Sequence, residues 1–307
     1  MEGQKRTAGR IPADIANDID HTLGMKSSFQ DQVVWITGAS SGIGEAMARD
    51  FVRRGAQVIL TARRADRLRR LEEELNAGKA SPAAKVLVAD LADLSSLPGL
   101  ASKAIALFGR IDVLLNNAGA SQRGFAIETP FQVEEHLIRL DLLSPIALTK
   151  AILPHMVSRQ SGRIIVTSSL MGDLELPGNA TYACVKHGLN GYFYSLAFEL
   201  KSLGVQVQVL QPGFVKTEVS VSAITPSGER HGKMDSTHQS AMTAEEFSRR
   251  VFPKIEQGKV SIYVAGKEYF AVILRHFFPG FYRFAVTKVA KSYLKDRMVH
   301  AGPKPNP

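Results

Sequence analysis

The chain has 307 residues, of which 45% are hydrophobic and 22% are charged, and its formal net charge is +9 at pH 7. This balance predicts a globular protein and argues against a disordered or fibrous chain. The single cysteine excludes an internal disulfide, and the first thirty residues lack the apolar run of about 7–15 residues that a secretory signal needs. We therefore expect an intracellular protein, cytoplasmic or peripheral on an intracellular membrane.

The first predicted strand, 33–37, leads directly into a glycine-rich turn. The turn reads Gly-Ala-Ser-Ser-Gly-Ile-Gly over 38–44, and a helical pattern follows at 42–55. A strand, such a turn and a helix in this order begin a dinucleotide-binding unit, in which glycines let the backbone approach a pyrophosphate at the helix N-terminus. The predicted cofactor contacts of this turn are Gly38, Ser40, Ser41, Gly42, Ile43 and Gly44.

Two arginines follow the second predicted strand, 57–62. Arg63 and Arg64 come directly after it, and no carboxylate appears before Asp66. Proteins that bind NAD place an acidic side chain here, on the ribose 2′-hydroxyl, whereas proteins that bind NADP place an arginine near the 2′-phosphate. We therefore predict NADP as the cofactor, with Arg63 at its 2′-phosphate and Arg64 as a further cofactor-binding residue. The alternative, that such arginines only begin a solvated helix, is our interpretation of Arg67, Arg69 and Arg70.

Strands and helices alternate along the rest of the chain. Further strands are predicted near 85–89, 113–116, 163–168, 205–210 and 260–264, and further helices near 65–76, 95–108, 131–157, 182–203 and 243–257. This alternation predicts an α/β fold: one Rossmann-type, doubly wound parallel sheet of about seven strands with helices on both faces. We expect a single domain over residues 31–265, an N-terminal extension at 1–30 and a tail at 266–307.

A serine, a tyrosine and a lysine form a candidate catalytic group. Tyr182 and Lys186 are four residues apart on a predicted helix, so the ammonium can lie beside the phenol and favour its ionised form. A tyrosine with that neighbour can exchange a proton near neutral pH. Ser169 precedes the tyrosine by thirteen positions. Taken alone, the Tyr-x-x-x-Lys spacing equally fits a half-buried tyrosine beside a surface lysine.

These motifs, in this order, resemble those of the short-chain dehydrogenase/reductase family, and most of all its hydroxysteroid-dehydrogenase-like branch. Residues 37–44 read T-G-x-x-x-G-x-G, which is the family's form of the glycine turn, and the resemblance extends from about residue 31 to about 265. It includes Asn-Asn-Ala-Gly at 116–119 and Pro-Gly-Phe-Val-Lys-Thr at 212–217. The resemblance implies further cofactor contacts from Asp90, Leu91, Asn117, Ala118, Gly119, Tyr182, Lys186, Pro212, Gly213, Val215 and Thr217.

The resemblance also implies the chemistry, which is hydride transfer between a nicotinamide and a carbonyl or alcohol carbon. Tyr182 would be the general acid in reduction and the general base in oxidation. Lys186 would hold the nicotinamide ribose, and Ser169 would donate a hydrogen bond to the substrate oxygen.

One catalytic position departs from the family. The family has an asparagine thirteen positions before a Leu-Pro proline, and counting back from Pro154 gives Asp141. A carboxyl group has no NH₂ donor and can carry a charge. An ionised Asp141 would strengthen the ammonium of Lys186 and partly screen it from Tyr182, whereas a protonated one would mimic the amide. Because the other three catalytic residues are intact, we expect activity to survive.

Two regions are expected to set specificity. The connection at 214–242 is long enough to act as a lid. In the tail, residues 269–282 are rich in aromatic side chains, but arginines and a Pro-Gly break argue against a membrane span. An apolar stripe faces away from lysines, which is typical of a segment in a membrane interface; closure over the cleft or a subunit contact fits equally. The stripe consists of Tyr282, Val286, Val289 and Tyr293, and the lysines are Lys288, Lys291 and Lys295.

We therefore predict an NADP-dependent enzyme of lipid metabolism that interconverts a carbonyl and a secondary alcohol on a steroid-, retinoid- or lipid-like substrate. The alternatives are a 3-oxoacyl reductase of fatty-acid or sphingoid type and a non-catalytic cofactor-binding scaffold. The family resemblance implies a homodimer or homotetramer formed through helices 131–157 and 182–203. The tail holds +6 of the net charge, and the rest of the chain lacks aromatic residues interleaved with basic ones, so we expect no nucleic-acid binding. We expect no metal either.

Overall fold

A computed structural model of the chain describes residues 29–229, 231–232 and 241–300, with the side chains of 220 and 294–300 left out of the description. Nearly all of the predicted N-terminal extension lies outside the described residues. The main body is a single α/β domain. Within the described ranges, no helix is both long enough and apolar enough to cross a membrane.

Seven parallel strands form the main sheet. The strands of the described residues, seven of which belong to this sheet, are β1 (Val33–Thr37), β2 (Gln57–Thr61), β3 (Ala84–Val86), β4 (Val113–Asn116), β5 (Gly162–Thr167), β6 (Val205–Pro212), β7 (Val215–Lys216), β8 (Met242–Thr243) and β9 (Ser261–Val264). The order across the sheet is β3-β2-β1-β4-β5-β6-β9, and β7 pairs separately with β8. The chain reverses its direction of winding between β1 and β4, and at such a switch point a crevice opens at the carboxyl ends of the strands.

Helices cover both faces of this sheet. They are α1 (Gly42–Arg53), α2 (Ala65–Asn76), α3 (Leu97–Phe108), α4 (Phe131–Ile138), α5 (Ser144–Ser158), α6 (Ala180–Leu200), α7 (Glu218–Val221), α8 (Ala244–Glu256), α9 (Tyr269–Phe277) and α10 (Pro279–His300). Apolar side chains of α1, α2 and α8 pack on one face, and those of α3, α5 and α6 pack on the other. All five residues of β1 are buried, as a strand covered on both sides requires. The predicted doubly wound fold is confirmed.

Several predicted elements differ from the structure at their boundaries, and the differences are largest in the third strand and in two of the helices. The third strand was expected to reach residue 89, but β3 ends at Val86, although the amides of Leu87 and Ala89 still donate to the carbonyls of Leu60 and Ala62. The chain therefore keeps parallel pairing with β2 while it leaves the regular strand.

The predicted helix 131–157 is divided in two. A π turn, Arg139–Leu143, joins α4 to α5, and Pro145 stands in the first turn of α5. The amide of Ser144 donates to the carbonyl of Arg139, five residues earlier, and Pro145 has no N–H for the carbonyl of Asp141, so the regular α-helical ladder is interrupted here. The predicted helix 182–203 begins two residues earlier, at Ala180, and its last three residues form a separate 3₁₀ turn.

Candidate active site

A cavity of about 1030 Å³ lies at the carboxyl edge of the sheet. All four predicted catalytic residues line it, and so do the predicted cofactor residues with the exception of Gly44. Gly44 lies below the glycine turn, where a Cβ atom would collide with the carbonyl of Gly38 and the side-chain amide of Asn117. The tight turn therefore requires glycine at this position even though the residue does not line the cavity.

The glycine turn is held against the end of β4. The hydroxyl of Thr37 accepts from the amides of Asn117 and Ala118, at 2.9 and 3.0 Å, and donates to the carbonyl of Leu115 at 3.3 Å. Gly38 has φ +67°, and a Cβ atom there would come within 2.8 Å of the Ala118 backbone. The resulting edge presents backbone rather than side chains to the cavity, which is what close approach of a pyrophosphate needs.

Arg64 is the arginine that contacts the serines of the turn. Its guanidinium donates to the hydroxyl of Ser40 at 2.9 and 3.1 Å and to that of Ser41 at 2.7 Å. Arg63 lines the same cavity but is exposed. A positive, hydroxyl-lined corner of this kind fits an anionic phosphate.

Glu218 was not identified from the sequence and occupies the same corner. Its carboxylate pairs with Arg64 and Arg67, each at 2.8 Å. Hydrogen bonds from these two arginines hold the pKa of Glu218 below its usual range, so the carboxylate stays ionised. The only signal in the sequence is its position next to Thr217.

The start of α6 places Tyr182 and Lys186 in the cavity. The side-chain oxygen of buried Gln122 accepts from the amides of Thr181 and Tyr182, at 3.2 and 3.4 Å, and so binds the free N–H groups of the first helical turn. Gln122 lies far from α6 in the sequence and was not identified there. The Lys186 ammonium lies 5.4 Å from the centre of the Tyr182 ring and donates to the carbonyl of Thr167 at 3.2 Å.

Ser169 stands at the end of β5, facing the same cavity. Its hydroxyl oxygen accepts from the amide of Met171 at 3.1 Å. This contact uses an acceptor lone pair and leaves the hydroxyl hydrogen able to donate into the cavity. The predicted serine, tyrosine and lysine are thus brought together, although β5 and α6 supply them separately.

Asp141 lies behind the lysine and is 1% exposed. One carboxyl oxygen, Oδ1, accepts from the amide of Ala120 at 2.9 Å, and the other, Oδ2, lies 3.7 Å from the Lys186 ammonium. Burial raises the pKa of Asp141 to about 6, and the charge of Lys186 opposes the rise. A Cβ atom at position 119 would come within 2.9 Å of Oδ2, so Gly119 makes room for this carboxyl group.

Much of the remaining cavity wall is apolar and includes the tail. Tyr282, 4% exposed, donates from its hydroxyl to the carbonyl of Glu175 at 2.8 Å, which fixes α10 to the loop after β5. Burial raises the pKa of Tyr282, so its hydroxyl remains a neutral donor. The apolar wall comprises Leu140, Leu170, Met171, Leu174, Leu176, Phe214, Val219, Ile224, Ala271 and Tyr282.

Comparison of the sequence with known proteins identifies its family. The model of the family described as short chain dehydrogenase matches residues 32–226. The chain is 36% identical over 280 residues to Dehydrogenase/reductase SDR family member 7B of Danio rerio, which covers 90% of this chain and 91% of the relative. It is 35% identical over 268 residues to Dehydrogenase/reductase SDR family protein 7-like of Drosophila melanogaster, covering 86% and 82% respectively.

Solved structures with the same fold contain nicotinamide cofactors. A metagenomic short-chain oxidoreductase in complex with NADP superposes with a TM-score of 0.63 at 31% identity, over 78% of this chain and 100% of that one. A short chain dehydrogenase/reductase from Burkholderia phymatum in complex with NAD superposes with a TM-score of 0.70 at 22% identity, over 91% and 98%, and supports the fold alone.

Proposed function

The chain belongs to the short-chain dehydrogenase/reductase family, and from this premise we propose that it is an NADP(H)-dependent enzyme that interconverts a carbonyl and a secondary alcohol on a lipophilic substrate. The family supports an oxidoreductase that acts on CH–OH groups with a nicotinamide dinucleotide. The preference for NADP and the class of substrate are the proposal.

The observation that carries the proposal is the convergence of Ser169, Tyr182 and Lys186 beside the glycine turn in one cavity. The nicotinamide, when bound, supplies a hydride to the carbonyl carbon or accepts one from the alcohol carbon. Ser169 donates a hydrogen bond to the substrate oxygen and stabilises its developing negative charge. Tyr182 gives its hydroxyl proton to that oxygen in reduction and takes it back in oxidation.

Lys186 supports the transfer through its charge. The ammonium is buried next to the Tyr182 ring and lies opposite the Asp141 carboxyl group, so little water screens its field. A positive charge beside the ring stabilises the negative charge that develops on the Tyr182 oxygen while its proton is transferred.

The preference for NADP is supported by the corner that contains Arg64, Ser40 and Ser41. The Ser40 and Ser41 hydroxyls hold the guanidinium through Nε and Nη2, and Nη1, which donates to Glu218, is the atom that a phosphate would bind; the ribose 2′-hydroxyl of NAD offers no charge to this group. Glu218 pairs with the same guanidinium, so a 2′-phosphate would replace one anion by another. The metagenomic relative, whose complex contains NADP, also favours this assignment.

A lipophilic substrate is supported by the apolar wall. Removal of apolar area from water is worth roughly 25 cal/mol per Å². The loop after β5, the connection after β6 and both tail helices contribute apolar side chains to one cavity. A steroid-, retinoid- or long-chain ketone would bury most of its surface there, with its carbonyl at Ser169 and Tyr182.

The test is turnover of a carbonyl panel that includes steroids, retinoids, long-chain ketones and acyl thioesters, followed by NADPH oxidation. We expect Tyr182→Phe to lower kcat by about 10²–10⁴-fold, because the general acid is lost, and to leave the Kd for NADPH nearly unchanged. Tyr192→Phe, on the same helix, is the matched control and should keep full turnover. A Tyr182→Phe variant with normal kcat, or a wild type that binds NADPH and turns over nothing in the panel, would reject the catalytic proposal.

A further inference from the structure

Helices α9 and α10 form a hairpin with an unusually apolar outer surface. Residues 270, 273 and 277 follow the i, i+3, i+7 spacing of one helical face, and this face is exposed instead of packed. Phenylalanines continue the surface around the turn of the hairpin and are 57–70% exposed. We name the group the aromatic corner: Phe270, Ile273, Phe277, Phe278, Phe281 and Phe284.

The hairpin is nevertheless firmly attached to the domain by its other side. Tyr282 is buried and bonded to the backbone of Glu175, and the Arg275 guanidinium pairs with the Glu175 carboxylate at 2.9 Å. Leu274 packs on the cluster that contains Leu170 and Leu174. The exposure of the aromatic corner is therefore a property of packed helices, since the inner face already has its contacts.

The segment that contains the aromatic corner is rich in exposed basic side chains. Among the side chains described between 266 and 293, the only carboxylate is that of Glu268, which accepts from the amides of Gly266 and Phe214 at 3.0 Å. The Lys288 ammonium lies 4.5 Å from the centre of the Phe284 ring. The exposed basic residues of the same segment are Lys267, Arg283, Lys288 and Lys291.

We propose that the aromatic corner docks on an anionic lipid bilayer. Phenylalanines that project from a helical hairpin bury their rings at the boundary between headgroups and acyl chains, and nearby lysines and arginines attract anionic headgroups. A second copy of the chain fits less well, because a twofold contact at this corner would place the same cations opposite each other. The charge and the aromatic surface thus favour one occupant, a membrane surface.

Docking at this corner would bring the substrate cavity to the membrane. Ala271 and Tyr282, on the inner face of the same hairpin, line the cavity. A lipophilic ketone dissolved in the bilayer would then enter without crossing water. This last step rests on the proposed function, whereas lipid binding itself requires no catalysis.

The experiment is cosedimentation of the full chain with vesicles of phosphatidylcholine, with and without about 30% phosphatidylserine. We expect binding to the anionic vesicles and a loss of about tenfold or more in lipid affinity for Phe277→Ser combined with Phe281→Ser. Phe198→Ser, at an exposed phenylalanine on α6, is the matched control and should bind as wild type does. Lys288→Glu combined with Lys291→Glu should lose the preference for phosphatidylserine.

NADPH binding, measured for every variant, shows that the domain is folded and does not depend on turnover. Failure of the wild type to bind either vesicle would overturn the proposal, and so would an equal loss of binding in Phe198→Ser. If the wild type ignores vesicles but self-associates, and the double phenylalanine variant is monomeric, the aromatic corner is a contact between copies. An inactive wild type that still binds vesicles would reject the proposed enzyme and leave the docking proposal standing.

Discussion

Asp141 and Lys186 form a buried pair in which the two charges stabilise each other incompletely. Desolvation raises the pKa of the carboxyl group to about 6, with the charges of Lys186 and His136 acting against it. Its Oδ2 atom lies 3.7 Å from the Lys186 ammonium and makes no closer hydrogen bond with the described residues. Leaving the carboxylate only partly compensated costs free energy, so Asp141 makes the stability of the protein depend on pH.

The sign of that dependence follows from the proton count. Between about pH 4 and pH 6 the unfolded chain has released the proton of Asp141 while the folded chain still holds it, so the free energy of unfolding falls as pH rises. Asn cannot titrate. The free energy of unfolding of Asp141→Asn minus that of wild type should therefore be larger at about pH 8 than at about pH 4, by about 2 kcal/mol. Urea denaturation at both pH values measures this, and a constant difference between the proteins would contradict it.

The same substitution tests the role of Asp141 in turnover. We expect Asp141→Asn to keep or increase kcat, because Ser169, Tyr182 and Lys186 are unchanged. The wild-type pH profile should contain an inflection near pH 6, where the carboxyl group beside the lysine titrates, and the variant should lack it. Complete loss of activity in Asp141→Asn would show that this chain needs a carboxylate in its proton relay.

Arg64 is the residue on which the cofactor preference is expected to depend most. A charge-assisted hydrogen bond to a phosphate is worth about 1.5–3 kcal/mol, so Arg64→Gln should raise the Kd for NADPH by about 10–100-fold and change that for NADH little. Arg63→Gln should have a smaller effect of the same kind, since its side chain is more exposed. Arg69→Gln, an exposed arginine on α2, is the control. Equal affinity of the wild type for both cofactors would contradict the assignment.

At the scale of elements, the hairpin of α9 and α10 packs against the loop that follows Ser169. The Tyr282 hydroxyl accepts from the amide of Glu175 and donates to its carbonyl, so one side chain holds α10 on the segment that follows Ser169. Without this contact the loop would lose its support on one side. The tail is therefore part of the site, although it follows the last strand of the sheet.

Tyr282→Phe removes the two hydrogen bonds and keeps the ring. We expect it to lower the free energy of unfolding by about 1 kcal/mol and to raise the KM for a lipophilic ketone, because the wall of the cavity loosens. Tyr293→Phe on the same helix, where the ring is 57% exposed, should change neither. Urea denaturation and steady-state kinetics of both variants decide this; equal effects would mean that the Glu175 contact contributes nothing.

At the scale of the molecule, three phenylalanines join distant parts of the chain below the sheet. Phe29, Phe51 and Phe252 meet edge to face with ring centres 4.8–5.6 Å apart. They come from the segment before β1, from α1 and from α8, and each is fully buried. This cluster packs the glycine-turn helix against the end of the domain, so its loss should affect cofactor binding indirectly, through folding.

Phe252→Ala should lower the free energy of unfolding by about 3–5 kcal/mol, because it removes buried area and leaves a cavity. Phe198→Ala, at an 82% exposed ring, should change it by less than about 0.5 kcal/mol. Denaturant titration of the full chain measures both. If Phe252→Ala and Phe198→Ala lower the free energy of unfolding equally, the phenylalanine cluster does not stabilise the fold.

The sequence by itself determined the fold class and the glycine turn, and it gave the candidate serine, tyrosine and lysine that line one cavity, because local patterns encode them. The run 33–36 is apolar since β1 is buried on both faces, and the glycines of the turn are the residues its backbone geometry requires. The spacing of Tyr182 and Lys186 is that of one helical turn. Each of these signals lies within a short stretch of chain.

Only the tertiary structure decided which distant residues complete the site. Gln122 binds the first turn of α6, Glu218 pairs with Arg64, and Tyr282 supports the loop after Ser169, over separations that no local pattern records. The exposure of the aromatic corner likewise depends on what packs against a helix. Burial and pairing are properties of the folded chain, and the pKa of a carboxyl group or the free face of a hairpin follows from them.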